Sequence, residues 1–257
     1  MRFIISPAKK MNECPDLLEW KDLPLFLEEA RALADWLGSL PYPEAKKLWQ
    51  CNDKIAELNF QRFSRMELTR HLTPALLSYE GIQYQYMAPQ VFTEQEWDYV
   101  QEHLRILSGF YGVLRPLDGV VPYRLEMQAK TGRAQVPGCT LPGMPPASLY
   151  DFWGRKLFDA VLDESRIILN LASREYSRAL EPWLTPSDTF ITFVFGEWKD
   201  GKVIQKGTQA KMARGEMVRF LAEIQAVLPE EARQFNRLGY RFREELSDAS
   251  TYVFVKE

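Results

Sequence analysis

The chain has 257 residues, 46% of them hydrophobic and 26% charged, and its 32 Lys and Arg against 35 Asp and Glu give a formal charge of −3. That composition is ordinary for a globular protein and excludes a disordered or collagen-like chain. A polyanionic partner would have to meet a local basic patch, because the molecule as a whole is not a polycation.

No apolar run approaches the roughly 18 residues of a membrane span, the most apolar stretch being about Thr189 to Gly196. The opening stretch breaks at Pro7, too early for a signal-peptide core, so a cytoplasmic protein with no membrane partner is expected. Cys14, Cys51 and Cys139 are odd in number and widely spaced, which argues against a disulfide framework. His71 and His103 form no metal-ligand spacing with each other, and both read as surface residues. No metal and no cofactor is expected.

In chain order, Arg2 to Ser6 reads as a short buried strand stopped by Pro7 and followed by the basic loop Ala8-Lys9-Lys10. Helical spacing runs from about Leu23 to Leu40 and again from about Pro43 to Phe60, and Ala75 to Tyr79 reads as a strand. Thr93-Glu94-Gln95-Glu96 is a capping box, predicting a helix that buries Trp97, Val100, Leu104 and Leu107 before Ser108 to Gly112 breaks it. The stretch 132–146, rich in Gly and Pro, reads as a surface loop.

Leu149 to Leu162 is expected to be a helix, Arg166 to Leu171 a strand, and Ser173 to Leu180 a helix. Lys199-Asp200-Gly201 marks a hairpin between Thr189–Trp198 and Lys202–Gln205. A long helix from about Gln209 to Val227 and a final strand from Tyr252 to Val255 complete a mixed α/β (α+β) chain, read as a single domain over 1–257.

The chain contains no phosphate-binding P-loop, no dinucleotide fingerprint and no nucleophile elbow. Gly109 and Gly112 stand three apart. They mark either a tight turn between packed elements or a hairpin whose free N–H groups meet a phosphate, as in helix-hairpin-helix modules.

Charge gives a better lead. Between 105 and 133, Arg105, Arg115, Arg124, Lys130 and Arg133 face only Asp118 and Glu126. Between 199 and 219, Lys199, Lys202, Lys206, Lys211, Arg214 and Arg219 face only Asp200 and Glu216. Such runs are either solvated faces or, with Phe110, Tyr111, Tyr123 and Phe220 among them, a nucleic-acid surface. Asn170, Ser173, Glu175 and Tyr176 follow a predicted buried strand, where ligand crevices open in α/β sheets, although a strand end with a helix cap explains them equally.

Five strings carry a resemblance: Ile5-Ser6-Pro7-Ala8-Lys9, Leu104 through Pro116, Pro122 through Met127, Asn170-Leu171-Ala172-Ser173 and Ala213-Arg214-Gly215. Together they resemble the YaaA family of bacterial peroxide-stress proteins, and the match runs from the first strand to the C-terminus. The resemblance implies an unusual α/β fold with a positively charged cleft and a helix-hairpin-helix-like element. It also implies DNA binding and a limit on free intracellular iron under hydrogen peroxide stress. Pro116 fits poorly with a full second helix after Gly112.

Two functions are carried forward. One is a non-enzymatic, monomeric DNA-binding protein that holds duplex or branched DNA without sequence specificity through Lys9, Arg105, Arg115, Arg124, Lys211, Arg214 and Arg219. The other is an enzyme acting on a small anionic, nucleotide-like substrate. In that case Lys9 would be nucleophile or base, with Tyr123, Glu126 and Asn170 as partners and Ser173 and Tyr176 nearby.

Overall fold

The computed structural model describes residues 1–14, 16–131 and 148–257, so the Gly- and Pro-rich stretch 132–146 lies outside the described residues. The first strand, β1 (Arg2–Ile5), is followed by the two-residue β2 (Lys10–Met11). Three helices come next: α1 (Leu27–Ser39), α2 (Tyr42–Trp49) and α3 (Asp53–Ser64). The single helix expected over Pro43 to Phe60 is therefore two. Gln50 turns left-handed at φ 47°, and the Asn52 side chain then caps α3 by accepting the Ile55 N–H.

β3 (Thr73–Pro74), α4 (Ala75–Ser78), β4 (Tyr79–Glu80) and α5 (Ile82–Met87) form a compact run. The strand expected at Ala75 to Tyr79 is instead the short helix α4, made of Ala-Leu-Leu, good helix formers that are all buried. The capping box is present: Thr93 Oγ1 accepts the Glu96 N–H, and Glu96 Oε2 accepts the Thr93 N–H. It opens α6 (Glu94–His103), which stops at His103 and runs straight into β5 (Leu104–Ser108). Leu104 and Leu107 are thus strand residues, not helical ones. Pairing with β1 outweighed the helical spacing, Phe3 lying opposite Leu104 and Ile5 opposite Ile106.

β6 (Gly112–Leu114) returns antiparallel to β5, and β7 (Gly119–Val120) pairs with β3. The predicted helix over Leu149 to Leu162 is two short ones, α7 (Leu149–Trp153) and α8 (Lys156–Val161), parted by Gly154 at φ 50°. β8 (Ile167–Asn170) leads to α9 (Arg174–Ser177), shorter than expected. The hairpin of β9 (Thr189–Lys199) and β10 (Lys202–Ile204) turns at Asp200-Gly201, as its sequence signalled. The long helix α10 (Gly207–Glu223), β11 (Tyr240–Phe242) and β12 (Thr251–Lys256) close the chain.

Among the described residues one large sheet runs in the order β11-β12-β9-β8-β1-β5-β6, with β10 added to β9. From β12 to β5 neighbours are parallel, and β5–β6, β11–β12 and β9–β10 are antiparallel. Parallel strands are covered on both faces, which is why Phe3, Ile4, Ile5, Leu104, Ile106, Ile168 and Leu169 are fully buried in succession. From β1 the chain reaches β5 on one side and later β8 on the other, so the strand order reverses between β1 and β8. Ligand crevices open beyond the carboxyl ends of strands at such a point. No helix among the described residues is long and apolar enough to cross a membrane.

Candidate functional site

At the β1–β8 reversal the two outgoing loops are tied together. Ser6 Oγ donates to Ser173 Oγ at 3.1 Å and accepts the Ser173 N–H at 2.8 Å, and Tyr84 donates its hydroxyl to the Ser6 carbonyl at 3.0 Å. Ser173 caps α9 by position but makes no side-chain cap bond, because its hydroxyl is committed to Ser6. Asn170 closes the strand: its Oδ1 accepts the Ala172 N–H, and its amide donates to Thr192 Oγ1.

Above this joint lies a cavity of about 430 Å³. One wall is the loop after β1, with Lys9 and Lys10; a second is Tyr123–Glu126; a third is the start of α9, with Glu175 and Tyr176; the last is α5 and α10, with Tyr84, Lys211 and Arg214. The α10 wall exists because Gly215 has no side chain. A Cβ there would overlap the Gln83 carbonyl oxygen and come within 2.9 Å of the Met87 nitrogen, so only glycine lets α10 lie this close to α5.

The cations around the cavity differ in how they are satisfied. Glu126 lies 2.9 Å from Arg124 and 3.3 Å from Lys9, and Lys10 lies 2.7 Å from Glu80. Arg214 is different. Its Nε, like that of Arg124, is buried without a hydrogen-bond partner, but no ion pair holds its guanidinium among the described residues. Burial alone pushes its pKa down to about 10. Lys211, one turn earlier on the same face, is likewise unpaired among the described residues.

On the opposite side, burial raises the Glu175 carboxyl, with the Glu126 charge adding to it; the Gln128 N–H and the Lys9 charge pull the other way. Tyr84 and Tyr176 are held neutral by burial. The cavity is therefore polarised rather than uniformly basic, with Lys211 and Arg214 on one side and Glu126 and Glu175 on the other.

Of the residues singled out in the sequence, Lys9, Tyr123, Arg124, Glu126, Ser173, Glu175, Tyr176, Lys211 and Arg214 line this cavity, and Asn170 is not among its lining residues. Arg105 does not. It is 8% exposed, its Nη1 donates to the Gln101 and Leu104 carbonyls, and burial brings its pKa to about 10. Arg115 bridges Asp22 at 2.9 Å and Asp118 at 3.4 Å, while Arg219 pairs with Glu223 at 2.9 Å, all away from the cavity.

Gly109 and Gly112 lie in a hairpin between two strands, so the helix-hairpin-helix expectation is corrected. The glycine spacing that suggested it turns the chain from β5 (Leu104–Ser108) into β6 (Gly112–Leu114), with no helix on either side of the turn. Nor are the hairpin's N–H groups free, since Ser108 Oγ accepts those of Phe110 at 3.1 Å and Tyr111 at 2.8 Å. The tight-turn reading of Gly109 holds instead: a Cβ would sit 2.5 Å from the Leu125 carbonyl oxygen and 2.9 Å from Glu126 C, so the glycine lets the Glu126 wall pack against it. His103, expected at the surface, is half-buried with Nδ1 2.8 Å from the Met1 carbonyl. Tyr84 and the α5 wall were missed, and only Gly215, inside a strong helix pattern, hinted that another backbone comes close.

Residues 1–246 match the family model described as peroxide stress protein YaaA. The chain is 52% identical over 256 residues to a UPF0246 protein of Desulfitobacterium hafniense, covering 100% of this chain and 98% of that one. It is 51% identical to a UPF0246 protein of Agathobacter rectalis, covering 100% and 99%, and 50% identical to one of Lachnoclostridium phytofermentans, covering 100% and 96%.

Proposed function

Because this chain belongs to the peroxide stress protein YaaA family, we propose that it serves in that response by binding DNA, with Lys211 and Arg214 taking a backbone phosphate inside the cavity at the β1–β8 reversal. The observation that carries this reading is the Arg214 guanidinium. Arg214 is half-buried, and its Nε is sealed from solvent without a partner, an arrangement that is costly to keep; a phosphate oxygen is the acceptor that suits it best.

The cavity falls within the range of about 300–1,000 Å³ typical of small-ligand sites. That is room for one nucleotide unit and not for a duplex, whose major groove alone is about 12 Å wide. DNA would therefore be engaged at an end, a branch or an unpaired position, by structure rather than base sequence. The paired arginines Arg115, Arg124 and Arg219 add little, because their charges already meet carboxylates. Among the described residues no group of three or more His, Cys, Asp or Glu could hold a metal ion. We accordingly place the limit on free iron downstream of DNA protection. The protein would act as a cytoplasmic monomer.

One observation favours a second reading, an enzyme acting on a free nucleotide-like anion. The raised Glu175 carboxyl faces the same cavity as Arg214 and suits a general acid or base. Lys9 does not suit the role of nucleophile, being 68% exposed and ion-paired with Glu126.

Titration of fluorescent single-stranded, branched and duplex DNA over a salt series tests the proposal. The Lys211→Gln/Arg214→Gln variant should bind at least 10-fold more weakly. Its log K against log salt should flatten by roughly 0.7–0.9 for the one phosphate no longer neutralised. Unchanged affinity in the variant, or no DNA binding by the wild type at low salt, overturns the reading. Saturable nucleotide binding in the latter case would leave the enzyme.

A further inference from the structure

A second cavity, of about 480 Å³, opens where α3 ends, with Arg62, Arg65, Arg70 and His71 on its wall together with the carboxylates of Glu13 and Glu67. Arg62 is half-buried, and its guanidinium makes a single long contact, 3.4 Å from Nη1 to Asn59 Oδ1. Burial lowers its pKa, and the Glu13 charge only partly opposes that. Arg65 is exposed, and its side chain has no hydrogen bond or ion pair among the described residues. Neither arginine has a carboxylate oxygen within 4.0 Å, whereas Arg70 is tied to Glu67 at 3.2 Å. The negative end of α3 accounts for cations in its last turn, but most of the two guanidinium forks are left open to solvent with no protein acceptor among the described residues.

One segment contributes to both cavities. Val121 and Pro122 line this one and Tyr123 to Glu126 line the first, so consecutive residues of one segment carry both walls. We propose that the Arg62–Arg65 cavity is a second phosphate-binding site. Two guanidinia provide paired N–H donors whose spacing matches phosphate oxygens. The phosphate comes either from a small phosphorylated molecule or from a nucleic-acid strand whose neighbouring unit occupies the first cavity. The site goes beyond the DNA reading, since a free phosphate probe reads it whether or not the protein binds DNA.

The experiment compares the wild type with Arg62→Gln/Arg65→Gln and with Glu13→Gln, each checked for folding by its unfolding transition. The probes are inorganic pyrophosphate, a dinucleotide and a 12-nucleotide single strand. If the source is a strand, the double variant should bind the 12-mer at least 10-fold more weakly with a salt slope flatter by about 0.7, and the dinucleotide unchanged. If the source is a small molecule, the double variant should lose saturable pyrophosphate binding. Glu13→Gln removes the opposing charge and should tighten the responding probe several-fold, a gain that misfolding does not produce. Pyrophosphate and 12-mer binding that are the same in all three proteins would overturn the site.

Discussion

Gly215 and Gln83 meet backbone to backbone: a Cβ on the glycine would overlap the Gln83 carbonyl oxygen, and that contact sets Arg214 at the cavity wall. Gly215→Ala must push α10 away from α5. The expected cost is about 1–3 kcal/mol, typical of overpacking, read by urea unfolding, together with weaker DNA binding. Wild-type stability in the variant would mean that the two helices slide apart freely.

Arg214 should trade stability for binding. Arg214→Met removes a half-buried charge whose Nε meets no protein acceptor among the described residues, so the variant is expected to be about 0.5–2 kcal/mol more stable than the wild type while losing anion binding. Denaturant unfolding beside a binding titration checks both halves. A variant that is less stable and binds normally would assign Arg214 to structure alone.

Ser108 holds the β5–β6 hairpin. Its hydroxyl lies 2.6 Å from that of Tyr123, which in turn lies 2.8 Å from that of Tyr79, and it accepts the Phe110 and Tyr111 N–H groups. Ser108→Ala strands these buried groups, at roughly 1–3 kcal/mol for each left unsatisfied. Thermal unfolding should show a clear loss, and an unchanged midpoint would contradict the network.

Asp118 is 1% exposed, and burial raises its carboxyl from 3.8 to about 6, against the pull of the Arg115 N–H and charge. Between those values the folded chain binds more protons than the unfolded one. The Asp118 contribution is therefore complete below pH 4 and is lost as pH climbs to 6. Relative to the wild type, Asp118→Asn should gain roughly 2–3 kcal/mol over that window. Urea unfolding at pH 4, 5, 6 and 7 measures it, and a constant difference would refute the shift.

Much of this architecture was legible wherever local chemistry decided it. The Thr93–Glu96 capping box, the Asp200-Gly201 hairpin and the strand stopped by Pro7 all stand where their residues placed them. Leu104 to Ser108 was not legible, because its helix-like spacing yields to a parallel ladder with β1 that only the tertiary fold supplies. The site was half legible. Arg214 and Lys211 stood out by charge, but charge could not tell an arginine paired with Asp22, as Arg115 is, from one without a partner. Pairing depends on which loops meet in space, and composition does not encode that.

The most direct test of the central claim follows the Arg214 Nε–H resonance in arginine-labelled protein during titration with a short single-stranded DNA. A saturable shift and slowed proton exchange at Arg214 that track binding are expected, with Arg219 unmoved in its pair with Glu223. DNA binding that saturates while the Arg214 signal stays in place would contradict it.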